Sequence, residues 1–62
     1  MAKKKYYAVA SGRTTGIFDN WEACNASIKG FSGAIYKSFS QQALDLAENY
    51  LKENNVDIIY NF

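Results

Sequence analysis

Sixty-two residues make one domain at most, and a chain this short buries only about 60% of its unfolded surface. One cysteine, Cys24, and no histidine exclude an internal disulfide and argue against a zinc site. The net charge of +1 hides an uneven distribution: Lys3, Lys4, Lys5, Arg13, Lys29 and Lys37 against Asp19 and Glu22 give residues 1–37 a net of +4, and residues 38–62 carry −3.

Lys5 to Ala10, KYYAVA, is rich in aromatic and β-branched residues and predicts a strand. Gly12 and Gly16 punctuate the SGRTTG turn that follows. GIFD at 16–19 predicts a short second strand, antiparallel to the first. Asn20 is a natural helix N-cap, and Glu22 suits the positive end of the helix dipole. Trp21, Cys24 and Ile28 recur at helical spacing, which predicts a short amphipathic helix over 20–29, stopped by Gly30. After a turn at FSG, 31–33, AIYKSF at 34–39 alternates as a third strand. Ser40 is expected to cap a second helix whose apolar stripe is Ala43, Leu46, Ala47, Tyr50 and Leu51, ending near Glu53 or Asn54.

The expected fold class is α+β, a small three-stranded antiparallel sheet with two helices in the order β-β-α-β-α. One sheet face would be buried and the other partly open. Residues 1–54 form the domain, and 55–62 are an apolar tail or the start of a linker. VDIIYNF at 56–62 is strand-like, and three uses stay open: pairing with the sheet edge, packing on a partner, or leading toward another domain.

Catalysis is not expected. No histidine is present to act as a general base near neutral pH, and no carboxylate cluster is placed to hold a pair of magnesium ions. Cys24 falls on the inward face of the first helix, where a packing thiol is inert. SGRTTG lacks the Gly-Lys-Ser/Thr ending of a phosphate-binding loop. No cofactor or metal is indicated. No stretch is long enough to span a membrane, and the N-terminal lysines precede no apolar run of signal-peptide length. With the unpaired thiol, this predicts a cytoplasmic setting. Asn25-Ala26-Ser27 matches a glycosylation acceptor, which without a secretory signal reads as chance.

Basic residues interleaved with aromatic ones point toward nucleic acid, because grooves are lined with cations for phosphates and flat side chains for sugars or bases. Trp21 could be a core tryptophan, but at the first helical position its ring tends toward the surface. Tyr36 and Lys37 are adjacent on a strand, so one points in and the other out. Of Tyr6 and Tyr7, at most one is expected in the core.

The ordered set Tyr7-Ala8-Val9, Gly12-Arg13, Gly16-Ile17-Phe18, Trp21-Glu22, Cys24, Gly30-Phe31, Ala34 and Tyr36-Lys37-Ser38-Phe39 resembles the RNA/DNA hybrid-binding domain at the N-terminus of type-one ribonucleases H. The same module occurs in caulimovirus viroplasmin proteins. The likeness runs ungapped through about 35 of the 62 residues. It implies the three-stranded, two-helix fold and binding in the minor groove of an RNA/DNA duplex, with 2′-hydroxyl contacts to the RNA strand. It implies further that Trp21 and Tyr36 clasp the DNA backbone, that Lys37 and Ser38 hold phosphate, and that Tyr7 and Arg13 touch the nucleic acid. Phe18, Phe31 and Phe39 are read as core. The 2′-hydroxyl separates RNA from DNA, and a deoxyribose packs against an indole where a 2′-hydroxyl would intrude.

Some members carry a second lysine where this chain has Ser38. No nuclease sequence follows within these residues, so the expected role is a non-catalytic binder of RNA/DNA hybrid and, more weakly, of double-stranded RNA. A ribonuclease H catalytic domain in a parent protein is the partner the resemblance implies. The alternative is a protein-interaction or weak self-assembly module using the strand-like tail, since an exposed strand edge pairs with other chains.

Overall fold

The computed structural model describes residues 5–62; Lys3 and Lys4 of the charge count lie outside them. The elements are β1 (Lys5–Ser11), β2 (Gly16–Phe18), α1 (Trp21–Ile28), β3 (Ile35–Ser40) and α2 (Leu44–Glu53), in the expected β-β-α-β-α order. The sheet is antiparallel with β1 in the middle, in the order β2-β1-β3.

The helices take opposite faces of the sheet, which corrects the expectation of one covered face. Side chains alternate along a strand, and on β1 both sets are packed. Ala8 joins Ile17, Ala47 and Leu51 in a cluster under α2, with Tyr6, Phe39, Leu44, Tyr50, Val56 and Ile58 around it. Val9 joins Phe18 and Cys24 in a second cluster under α1, flanked by Tyr7, Ala23 and Ile28. Tyr6 and Tyr7 are therefore both half-buried, one against each cluster. The reading that only one could reach a core assumed a single core. Burial of Ile17 and of Leu51, both fully enclosed, contributes about 1.5–3 kcal/mol each.

Asn20 caps α1 as expected: its Oδ1 accepts the Ala23 N–H at 2.8 Å. Ser40 does not cap α2. It remains in β3 opposite Lys5, and its carbonyl accepts the Ala43 N–H at 2.9 Å across a tight turn. The helix starts at Leu44 behind Ala43, with no side-chain cap. Leu44, Ala47 and Leu51 face the sheet, and Leu46, expected in the apolar stripe but two residues from Leu44 and so off that face, is 54% exposed. Phe31, expected in the core, sits in the turn after α1 and is 36% exposed.

The tail pairs with the sheet edge. Asn55, in the left-handed region at φ 58°, ends α2. Its N–H donates to the Lys52 carbonyl at 3.0 Å and that of Val56 to the Leu51 carbonyl at 2.9 Å, the pattern of a Schellman cap. Val56 and Ile58 then pack under α2. The Ile17 N–H donates to Ile59 O at 2.7 Å, and the Asn61 N–H donates to Ile17 O at 2.8 Å, so Tyr60 lies parallel to β2. The Tyr60 hydroxyl donates to the Glu48 carboxylate, which raises the phenol pKa.

Candidate nucleic-acid interface

On the α1 side the sheet is left incompletely covered, and Tyr7, Trp21 and Tyr36 gather there, whereas Tyr6, Phe39, Tyr50, Tyr60 and Phe62 make their ring contacts on the α2 side. Tyr7 opposes Ser38 across the β1–β3 ladder, and Val9 opposes Tyr36, so Ser38 and Tyr36 share the α1 face. Trp21, the first residue of α1, stands over them. Its ring centroid is 5.7 Å from that of Tyr7 at an interplanar angle of 56°, and 6.0 Å from that of Tyr36 at 47°. Tilted contacts at these distances are favourable and hold the rings in mutual register. Trp21 is nonetheless 46% exposed and Tyr36 41% exposed. Tyr7, Trp21, Tyr36 and Ser38 thus form one apolar, flat-sided surface with a hydroxyl at its edge.

Two predicted residues lie elsewhere. Lys37 opposes Ala8 and points to the α2 side, with its Nζ 5.6 Å from the Phe39 ring centroid. There it lines a shallow groove with Phe39, Leu46, Asn49, Tyr50 and Glu53. Because β3 is an outer strand, a flexible lysine stem at this position can carry its ammonium around the sheet edge. Arg13 lies in the β1–β2 turn near the C-terminal end of α1, with a guanidinium nitrogen 3.5 Å from where a Cβ on Gly30 would sit. The α1 axis, 8 residues or about 12 Å long, separates it from Trp21.

Ser27 went unrecognised in the sequence as a structural residue. It is buried at the end of α1 and clamps the turn that carries Arg13. Its carbonyl accepts the Arg13 N–H at 2.9 Å, its Oγ accepts the Thr14 N–H at 3.0 Å, and its hydroxyl donates to Thr14 O at 2.5 Å. Gly12 lets the turn approach this closely, since a Cβ there would lie 2.8 Å from Ser27 Oγ. Ser27→Ala removes the partner of both Thr14 backbone groups at an expected cost of about 1–3 kcal/mol. That corresponds to a melting temperature lower by roughly 5–20 °C. An unchanged melt by circular dichroism would show that the clamp carries no weight.

Cys24 is a free, fully buried thiol, and burial pushes its pKa up, so it stays protonated near neutral pH. Among the described residues, no three acidic, cysteine or histidine side chains converge as metal ligands would.

Residues 5–51 match the family described as the ribonuclease H1 N-terminal domain. The chain is 49% identical over 49 residues to a ribonuclease H of Crithidia fasciculata, covering 79% of this chain and 10% of that protein. It is 38% identical over 55 residues to a ribonuclease H of Saccharomyces cerevisiae, covering 89% of this chain and 15% of that protein. A ribonuclease H of Schizosaccharomyces pombe is 49% identical over 37 residues, 60% of this chain and 14% of that protein. The chain thus spans roughly a seventh or less of the length of these curated relatives.

Proposed function

The chain belongs to the ribonuclease H1 N-terminal domain family, and from that premise we propose that it is a non-catalytic module gripping RNA/DNA hybrid through the minor groove. The observation that carries this reading is the cluster of Tyr7, Trp21 and Tyr36, half-open to solvent on one sheet face. Buried, these rings would be core. Exposed and held in register, they offer a ready platform for a sugar-phosphate strand. Trp21 and Tyr36 take the deoxyribose side, with Ser38 at the platform edge donating to phosphate. Lys37 reaches a phosphate from around β3, and Arg13 takes one beyond the far end of α1. The RNA strand is read by its 2′-hydroxyls, the group that DNA lacks. Double-stranded RNA binds more weakly, because neither of its strands packs on the indole as a deoxyribose strand does. A ribonuclease H catalytic domain is the natural neighbour in a parent protein, with this module supplying grip and not cleavage.

The assembly reading is weaker, because the tail's Ile59 carbonyl and Asn61 N–H are already engaged by Ile17 of the same chain.

Titration against matched fluorescent RNA/DNA, RNA/RNA and DNA/DNA duplexes tests the proposal. The hybrid is expected to bind tightest. Neutralising about three or four phosphates gives a log–log salt slope near −3. Equal affinity for all three duplexes with a slope near zero would sink it.

A further inference from the structure

We propose that the C-terminal segment, residues 56–62, is a positioning strap for the turn at 12–15, so that Arg13 meets nucleic acid in a fixed place only while the strap is paired to β2. The inference rests on the binding reading above, and the strap lies beyond residue 51, where the family match ends.

The turn is held from two sides. Ser27 grips Arg13 and Thr14 from α1. From the other side, Asn61 Nδ2 donates to the Thr15 carbonyl at 3.2 Å, and the Asn61 N–H donates to Ile17 O at 2.8 Å. Ile59 O accepts the Ile17 N–H at 2.7 Å and passes so close to Gly16 that a Cβ there would sit 2.4 Å away. Residues 15–17 are therefore pinned by a segment more than 40 positions away in the chain, Asn61 and Thr15 being 46 residues apart. The strap is itself anchored under α2 by Val56 and Ile58 and on α2 by Tyr60 and Glu48. A loop tethered at both ends presents its exposed arginine in one place. Held only by Ser27 and the β1–β2 ladder, it has more freedom and pays an ordering cost on binding. By linkage, duplex binding must in turn stabilise the strap.

The test uses the full chain with Asn61→Pro, which deletes the N–H to Ile17 and the amide to Thr15, and with the milder Asn61→Ala. Each is combined with Arg13→Ala and titrated with a fluorescein-labelled RNA/DNA duplex. Amide exchange is followed at Ile17, whose N–H donates to Ile59 O. The expected result for Asn61→Pro is a folded chain with faster exchange at that amide. Its hybrid affinity should fall about 5- to 10-fold, with a salt slope shallower by about one. Arg13→Ala should cost little more in that background, although it weakens the parent chain. If Asn61→Pro does not fold, Asn61→Ala carries the test with the same signs and roughly a 2- to 3-fold loss. Unchanged affinity, or an equal cost of Arg13→Ala in both backgrounds, overturns the strap. Binding that is lost in Trp21→Ala but indifferent to Asn61 and Arg13 overturns the strap and leaves the binding reading standing. A parent chain that binds no duplex overturns both.

Discussion

Trp21→Ala will lose roughly 5- to 150-fold in affinity for RNA/DNA hybrid while remaining folded, the range set by about 1–3 kcal/mol per aromatic stacking contact. The separation of binding from stability follows from exposure. Nearly half of the Trp21 surface is open, and the residue belongs to neither buried cluster. Its ring contacts within the chain are to Tyr7 and Tyr36, and losing both pairs costs the fold about 1–3 kcal/mol. Trp21→Phe keeps a flat side chain over Tyr7 and is expected to recover much of the affinity. Tyr36→Ala moves in the same direction by a smaller amount, because its ring is smaller. Fluorescence anisotropy reads the affinity, and far-ultraviolet circular dichroism reads the fold. An alanine variant that binds the hybrid as well as the parent would remove the platform from the mechanism. A variant that unfolds would show that Trp21 is a core residue after all.

Gly16→Ala will be the most damaging small substitution in the chain. Gly16 sits at φ +123°, a conformation that L side chains rarely adopt. An added Cβ would also lie 2.4 Å from Ile59 O and 2.6 Å from Asn61 Nδ2. Backbone strain alone costs about 1–3 kcal/mol, and the steric overlap adds the loss of the paired tail. The expected fall in melting temperature is roughly 10–20 °C, on a scale of about 4–8 °C per kcal/mol. Gly33→Ala is the matched control: φ is +77° and nothing lies within 4 Å of the added Cβ, so it meets strain without overlap. Thermal melts of the two variants separate the terms. Equal melting temperatures would mean that contact between Gly16 and the tail contributes nothing.

What was legible in the sequence was what local chemistry decides. Asn20 announces a cap because its bond spans three residues. β1, β2 and α1 are visible because period and turn residues mark them. The ordered aromatic and glycine positions point to the family, and the α+β fold follows. The alternation of Tyr36 and Lys37 placed them on opposite faces, as the structure does, but neither points in: both are exposed, because β3 is an outer strand. Harder to see was that both faces of β1 are covered, because after Lys5 the run YYAVA carries no charged residue and the two packed sets, Tyr6 with Ala8 and Tyr7 with Val9, cannot be told apart by period. Ser40 misled because serine before an apolar run is an ordinary capping signal, and only pairing with Lys5 keeps it in β3. Ser27 was invisible because its partner Thr14 lies 13 residues away. The tail was left undecided for the same reason: its partner Ile17 has no local signature.

The pairing of Tyr60 with Ile17 also sets an order of assembly. The β1–β2 hairpin closes a short loop and can form early, and the tail meets α2 over a span of about a dozen residues, but its bonds to Ile17 and Thr15 must close a span of more than forty residues. Those bonds to the sheet edge are therefore expected to form last and open first. Substitutions at Ile59 or Asn61 will accelerate unfolding and leave the refolding rate nearly unchanged, whereas substitutions in the hairpin will slow refolding.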